Sequence, residues 1–158
     1  MNVVIVGCGR VGSSLAGFLL DRGDCVTVVD RNLKAFRRLE DEEHEGPGRQ
    51  GAGPGNDRTM TTKRGFRCVL GVGIDEDVLR SAGIAQAEAF AAVTDNDYAN
   101  IMGGLMAREI FRVPRVIARL TDTRWAGVCH DMGIETICPP VLGAQSILNQ
   151  LIPWGEGR

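Results

Sequence analysis

The plainest chemistry in this sequence lies in Gly7-Cys8-Gly9-Arg10-Val11-Gly12, a Gly-x-Gly-x-x-Gly run, with an acid, Asp30, 18 residues beyond Gly12. Gly7 lets the chain turn sharply off a strand, Gly9 lets backbone approach a pyrophosphate with no Cβ in the way, and Gly12 lets a helix pack close to a sheet. Phosphates placed there meet the unpaired N–H groups and the positive dipole end of a helix N-terminus, so the turn is an anion site before any basic side chain is counted. Arg10 and Val11 belong to the turn itself, and Arg31 follows the acid. Asp30 is placed to accept hydrogen bonds from ribose hydroxyls, and its charge would repel a 2′-phosphate. That favours an adenosine of NAD or ATP type over NADP. The competing reading of Asp30 is a strand-end cap.

These residues need a strand, a helix and a second strand to position them, and the sequence supplies all three. Val3-Val4-Ile5-Val6 is an apolar run, Leu15 through Leu20 is periodic, and a second apolar run ends on Asp30. A further helix is expected over Asn32 to Glu43, capped by Asn32, with Leu33, Phe36 and Leu39 at three-residue spacing. From His44 to Gly65 the periodicity stops, and glycines, prolines and four basic residues predict a flexible surface insertion at about 44–65. Such a loop either closes over an anionic ligand or has no role.

The β-then-α rhythm resumes with a short strand, Cys68 to Leu70, and the turn Gly71-Val72-Gly73. Asp75 caps a helix that Gly83 stops, and Ala89 to Val93 is the next strand. Thr94-Asp95-Asn96-Asp97 opens a long helix with a Thr-x-x-Asp capping pattern, and its stripe of Tyr98, Ile101/Met102, Leu105/Met106 and Ile110 is expected to face the sheet. Gly103, Gly104 and Ala107 permit close approach of a neighbour, either the sheet or a second subunit. Val116-Ile117-Ala118 follows with Arg119 at its carboxyl end, then a helix carrying Trp125, Val128 and Met132, a last strand from Ile134 to Cys138 and a last helix from Val141 to Ile152. The fold expected is α/β: a single doubly wound parallel sheet of six strands in the order 3-2-1-4-5-6, filling 1–152, with 153–158 a tail. Its switch point gathers Gly7 to Gly12, Asp30, Gly71 to Gly73, Thr94 and Arg119.

Composition narrows the function. A length of 158 residues suits one domain and leaves no room for the substrate domain of an ordinary dehydrogenase. A net charge of −2 without a basic stripe argues against nucleic acid. The N-terminal apolar segment lacks a basic leader and is broken by glycines and Arg10, so neither a signal peptide nor membrane insertion is expected, and the location read is cytoplasmic. The five cysteines have no C-x-x-C spacing and read as small core residues without a metal site, with Cys8 set apart by its place at a helix N-terminus.

Four stretches together resemble a known family: VVIVGCGRVG from Val3 to Gly12, AGI from Ala82 to Ile84, AVTDNDYANIMGGLMARE from Ala92 to Glu109, and VPRVIARLTD from Val113 to Asp122. They are similar to the RCK, or KTN, nucleotide-binding domain, the N-terminal part of TrkA- and KtrA-type regulators of bacterial potassium uptake. The resemblance implies NAD(H) or ATP/ADP in the crevice, with Arg10 and Arg119 near phosphates and with Thr94, Asp97 and Asn100 at the family's positions. It also implies a homo-oligomer, a dimer or larger, that gates a separate membrane potassium transporter from the cytoplasmic side of the inner membrane and catalyses nothing. Gly71-Val72 stands where the family usually has Gly-Asp, and Pro140 where some members carry a metal-associated glutamate. No C-terminal RCK subdomain is expected in the chain. Each site residue has a plainer counterpart: Thr94 and Asp97 as a capping box, Arg119 paired with Asp122, Asn100 as a polar helix residue. The rival function is a small NAD-linked oxidoreductase or other Rossmann-type enzyme.

Overall fold

Alternation along β1 (Asn2–Val6) sets the layering. Val3 and Ile5 point to one face and Val4 and Val6 to the other, and all four are buried, as in a strand covered on both sides. In the computed structural model, which describes residues 1–41, 59–62 and 65–152, β1 is the middle of a seven-stranded sheet ordered β3-β4-β2-β1-β5-β6-β7. β2 is Cys25–Asp30, β3 Thr59–Thr61, β4 Arg67–Leu70, β5 Ala89–Ala92, β6 Arg115–Arg119 and β7 Glu135–Ile137. On one face Val3, Ile5, Val26, Val28 and Cys68 pack under Ala16 of α1 (Arg10–Asp21) and under Phe36 and Leu39. On the other, Val4, Val6, Val69, Phe90 and Val116 pack under α3 (Glu76–Ser81), α4 (Asp97–Leu105) and α5 (Ala126–Asp131).

Leaving β3 aside, the other six strands are parallel and stand in the expected order. The seventh corrects the expectation. Thr59–Thr61 falls inside the stretch read as an insertion, yet it pairs antiparallel with β4, Met60 opposite Cys68. Three residues of Thr-Met-Thr carry too little pattern to announce a strand. What holds them is the ladder, with Thr62 buried behind it, bonding Phe66 through both its N–H and its hydroxyl oxygen. Residues 44–58 and 63–64 of the expected insertion, residues 42–43 at the end of the expected second helix and the 153–158 tail lie outside the described residues.

Two helices also differ from expectation. After β2 the chain makes a 3-10 stretch, Leu33–Arg37, capped by Asn32 accepting from Lys34 N–H, and then a single α turn, α2 (Arg38–Asp41). A spacing of three suits three residues per turn, and it buries Phe36 and Leu39 while leaving Leu33 exposed. Along α4 and the π-helical turn that continues it, Met106–Ile110, the expected stripe is only half right: Ile101, Leu105 and Met106 pack against the core, but Tyr98, Met102 and Ile110 are exposed, and Asn100, Gly103, Gly104 and Ala107 are buried. A Cβ on Gly103 would come within 3.4 Å of the Phe90 ring and one on Gly104 within 3.3 Å of Ile134, so the small residues are where the helix meets the sheet.

One half-face of the sheet has no cover in the chain as described. With α3, α4 and α5 all on the same side, Ile117 of β6 and Ile137 of β7 remain exposed on the other. The last helix, α6 (Pro139–Leu151), contains no buried residue although Val141, Leu142, Ile147, Leu148 and Leu151 line it.

Candidate functional site

The glycine turn has the shape its sequence requires. Gly7 sits at φ +102°, which disfavours any L side chain, and its N–H donates to Val29 O at 2.8 Å. Gly12 lies so close to the turn that an added Cβ would be 1.9 Å from Gly7 O. Gly9 is different: it caps α1, and a Cβ there would meet nothing within 4 Å. The first turn of α1 has neither a side-chain cap nor an acidic residue, and Arg10 and Val11 beside it are exposed. The helix therefore presents its positive end to open space, as an anion site requires.

Asp30 both closes this turn and faces outward from it. One carboxylate oxygen accepts from Cys8 N–H at 2.7 Å and the other from Asn32 N–H at 2.8 Å. Each oxygen keeps a second lone pair for a ribose hydroxyl, so the cap and the ribose ligand are compatible roles of one group. Arg38 also reaches the turn, donating to Cys8 O at 3.4 Å. It was missed in the sequence because nothing in its spacing from the glycines marks it. Arg31 is exposed. The Cys8 side chain is fully buried, its thiol donating to Ala35 O.

Across the crevice stands Thr94, at the end of β5. A Cβ on Gly7 would lie 2.9 Å from Thr94 N, so the glycine turn and the switch point are in contact. Thr94 does not cap α4. Asn96 does, accepting from Ala99 N–H, while the Thr94 hydroxyl lies 2.6 Å from the Asn100 amide oxygen. Asn100 is fully buried: its oxygen also accepts from Thr94 N–H, and its NH₂ donates to Thr94 O and to Arg119 O at 2.8 Å. Asp97 accepts from the N–H groups of Thr121 and Asp122. Arg119 donates from Nη1 to Thr94 O at 3.1 Å, and its Nε is buried without a partner. It does not pair with Asp122, whose carboxyl is instead held below the usual carboxylate range by Arg124, 2.6 Å away. On the third side, Gly71 packs on Val78 and Gly73 on Val6 so closely that neither has room for a Cβ, which leaves Val72 and Ile74 exposed at the rim.

The arrangement is an uncapped helix N-terminus beside the Asp30 carboxylate, with Arg10 exposed in its first turn and Thr94, bonded by Arg119, against the glycine turn. The sequence profile of the TrkA-N domain matches residues 3–51 and 57–140. The chain belongs to the TrkA-N domain family. This TrkA-N chain is 41% identical over 155 residues to the Trk system potassium uptake protein TrkA of Streptomyces coelicolor, a match covering 98% of the chain and 60% of that relative. It therefore spans about 60% of that relative's length. Among solved structures, the TrkA-N domain of the Escherichia coli inner membrane protein ybaL superposes with a TM-score of 0.75 at 21% identity, covering 96% of each chain. The GsuK channel superposes in its ADP-bound form with 0.67 at 23% identity, over 95% of this chain and 33% of the channel's. Its NAD-bound form gives 0.62 at 21% identity, over 87% and 21%. At such identities these likenesses establish a shared fold. Among the described residues no cluster of His, Cys, Asp and Glu is arranged to hold a metal, and no helix is long and apolar enough to cross a membrane.

Proposed function

We propose that this TrkA-N domain binds an adenine nucleotide, NAD(H) or ATP/ADP, at the switch point, as the sensing part of a regulatory subunit that gates a separate membrane potassium transporter. The observation that carries the proposal is the open N-terminus of α1, where Gly9 leaves space that a Cβ would fill and Asp30 holds the turn in place. Gly7, Gly9, Arg10, Val11 and Gly12 would hold phosphates, with Asp30 on the ribose, Arg31 beside it, Gly71 and Val72 on the adenine side, and Thr94 and Arg119 at the far phosphates. The potassium uptake name of the Streptomyces relative and the ADP- and NAD-bound forms of the GsuK channel support this reading.

The subunit would sit on the cytoplasmic side of the inner membrane through its transporter partner, without inserting itself and without catalysing a reaction. We further propose that it works as a homo-oligomer, supported by the uncovered apolar side chains of α6, Ile117 and Ile137. Nucleotides regulate such a subunit only by binding its alternative conformers unequally. Titration calorimetry with ATP, ADP, NAD and NADH tests the site, and Arg10→Ala with Arg119→Ala is expected to weaken ATP more than NADH. Potassium uptake in cells lacking the protein tests the role. Normal uptake, together with nucleotide turnover by the purified chain, would favour the enzyme reading instead.

A further inference from the structure

Asp97 and Asn100 stand three residues apart at the start of α4, and both spend their polar atoms on neighbouring protein groups, Asp97 on backbone N–H groups and Asn100 on backbone and the Thr94 hydroxyl. The Asn100 amide has two acceptor and two donor positions, and all four are occupied by Thr94 and Arg119 in a side chain with no solvent exposure. Asp97 takes the N–H groups of Thr121 and Asp122, and Leu120 just before them donates to Ile137 O of β7. The backbone from 119 to 122 is thus tied down at every residue. Thr94 O, which receives Arg119 Nη1, is itself held by Asn100. Arg119 stands out against this frame. Of its own three guanidinium nitrogens, Nη1 alone has a partner among the described residues, and Nε is buried with none.

Resting on the nucleotide reading above, we propose that Asp97 and Asn100 are positioning residues: they never touch the nucleotide, and instead fix the backbone that carries Arg119, so that its unspent donors meet the phosphates already oriented. A guanidinium fixed in advance loses little freedom on binding. The pair therefore sets how strongly the site prefers ligands with more phosphates.

The test is calorimetry on the full chain with two ligands, ATP and adenosine, for the wild type, Arg119→Ala, Asn100→Ala, Asp97→Ala and the two double variants with Arg119→Ala. Asn100→Ala and Asp97→Ala are each expected to lower ATP affinity about tenfold, the size of one charge-assisted contact, and adenosine affinity less than about twofold. In the double variants ATP binding is expected to be no weaker than in Arg119→Ala alone, because the residues act through that side chain. A merely structural role would lower both ligands alike and add to the Arg119 loss, and either result overturns the proposal. If Asn100→Ala does not fold, Asp97→Ala, nearer the surface, carries the same expectations. A wild-type chain that binds neither ligand refutes the nucleotide reading, whereas ATP affinity unchanged by Arg119→Ala removes the phosphate contact on which the pair acts.

Discussion

Gly9 and Gly12 belong to the same motif, yet the structure predicts opposite consequences for giving each a methyl group. At Gly12 the new Cβ would sit 1.9 Å from Gly7 O, a backbone atom, and would have to move by about 1.6 Å to reach an ordinary separation near 3.5 Å. Helix α1 must lift off the turn to allow it, which puts the cost at the upper end of overpacking, about 3 kcal/mol. For a domain of this size each kcal/mol lowers Tm by roughly 2–4 °C, so Gly12→Ala should melt about 6–12 °C below the wild type. At Gly9 a Cβ meets nothing, and φ −78°, ψ −170° suits any L-residue. Restricting the unfolded chain stabilises by about 0.4–1 kcal/mol, and replacing glycine by alanine at a helix N-cap offsets a similar amount, so Gly9→Ala should melt within a degree or two of the wild type. Its methyl group nonetheless projects where phosphates are expected, and an overlap worth about 1–3 kcal/mol lowers ATP affinity roughly five- to 150-fold. Thermal unfolding by circular dichroism and ATP calorimetry read the two effects separately. If Gly9→Ala melts several degrees low, the space beside Gly9 is not open; if it keeps full ATP affinity, that space is not a phosphate site.

Three further outcomes follow from named contacts. Asp30→Ala strands the Cys8 N–H, which is expected to cost about 2 kcal/mol of stability in urea unfolding as well as weakening nucleotide binding; unaltered unfolding would mean that water replaces the carboxylate. The Asp24 carboxyl is held below its ordinary pKa by its bonds from Arg22 and then from the Met1 ammonium, and the ammonium is raised chiefly by its bond to Asp24. Asp24 therefore stabilises above the unfolded carboxylate pKa of about 3.9 and loses this as pH falls through the lower folded value, while the ammonium stabilises below about 8 and loses this as pH rises through the raised one. For untagged protein, the Tm difference between wild type and Asp24→Asn should be largest near pH 6 and shrink toward both acid and alkali; a difference independent of pH would contradict the pairing. Gly104→Val, which crowds Ile134 and Val116, should lower Tm equally at all protein concentrations, whereas a concentration-dependent loss would return these small residues to a subunit interface.

What the sequence determined by itself is what short-range pattern can encode. Apolar runs such as Val3 to Val6 specify strands buried on both faces, Gly7 and Gly12 specify a turn that few other residues tolerate, and strands alternating with helices leave only a handful of orders for the parallel strands. Tertiary structure decided the rest, because those outcomes depend on partners distant in the chain. Thr59–Thr61 is a strand through the edge that β4 offers it, not through its own composition. The exposed stripe of Tyr98 and Met102 reads in sequence as a core face, but the sheet beneath α4 already holds Phe90 and Val116, with Ile134 beside them, so glycine is what fits against it. Asp97 and Asn100 fall at ligand-like positions in the motif, and their bonds to residues 119–122, some twenty positions away, spend their polar atoms on the frame. Spacing brings a residue to the right end of the sheet; which of its atoms remain free there is decided by the hydrogen bonds that folding has already filled.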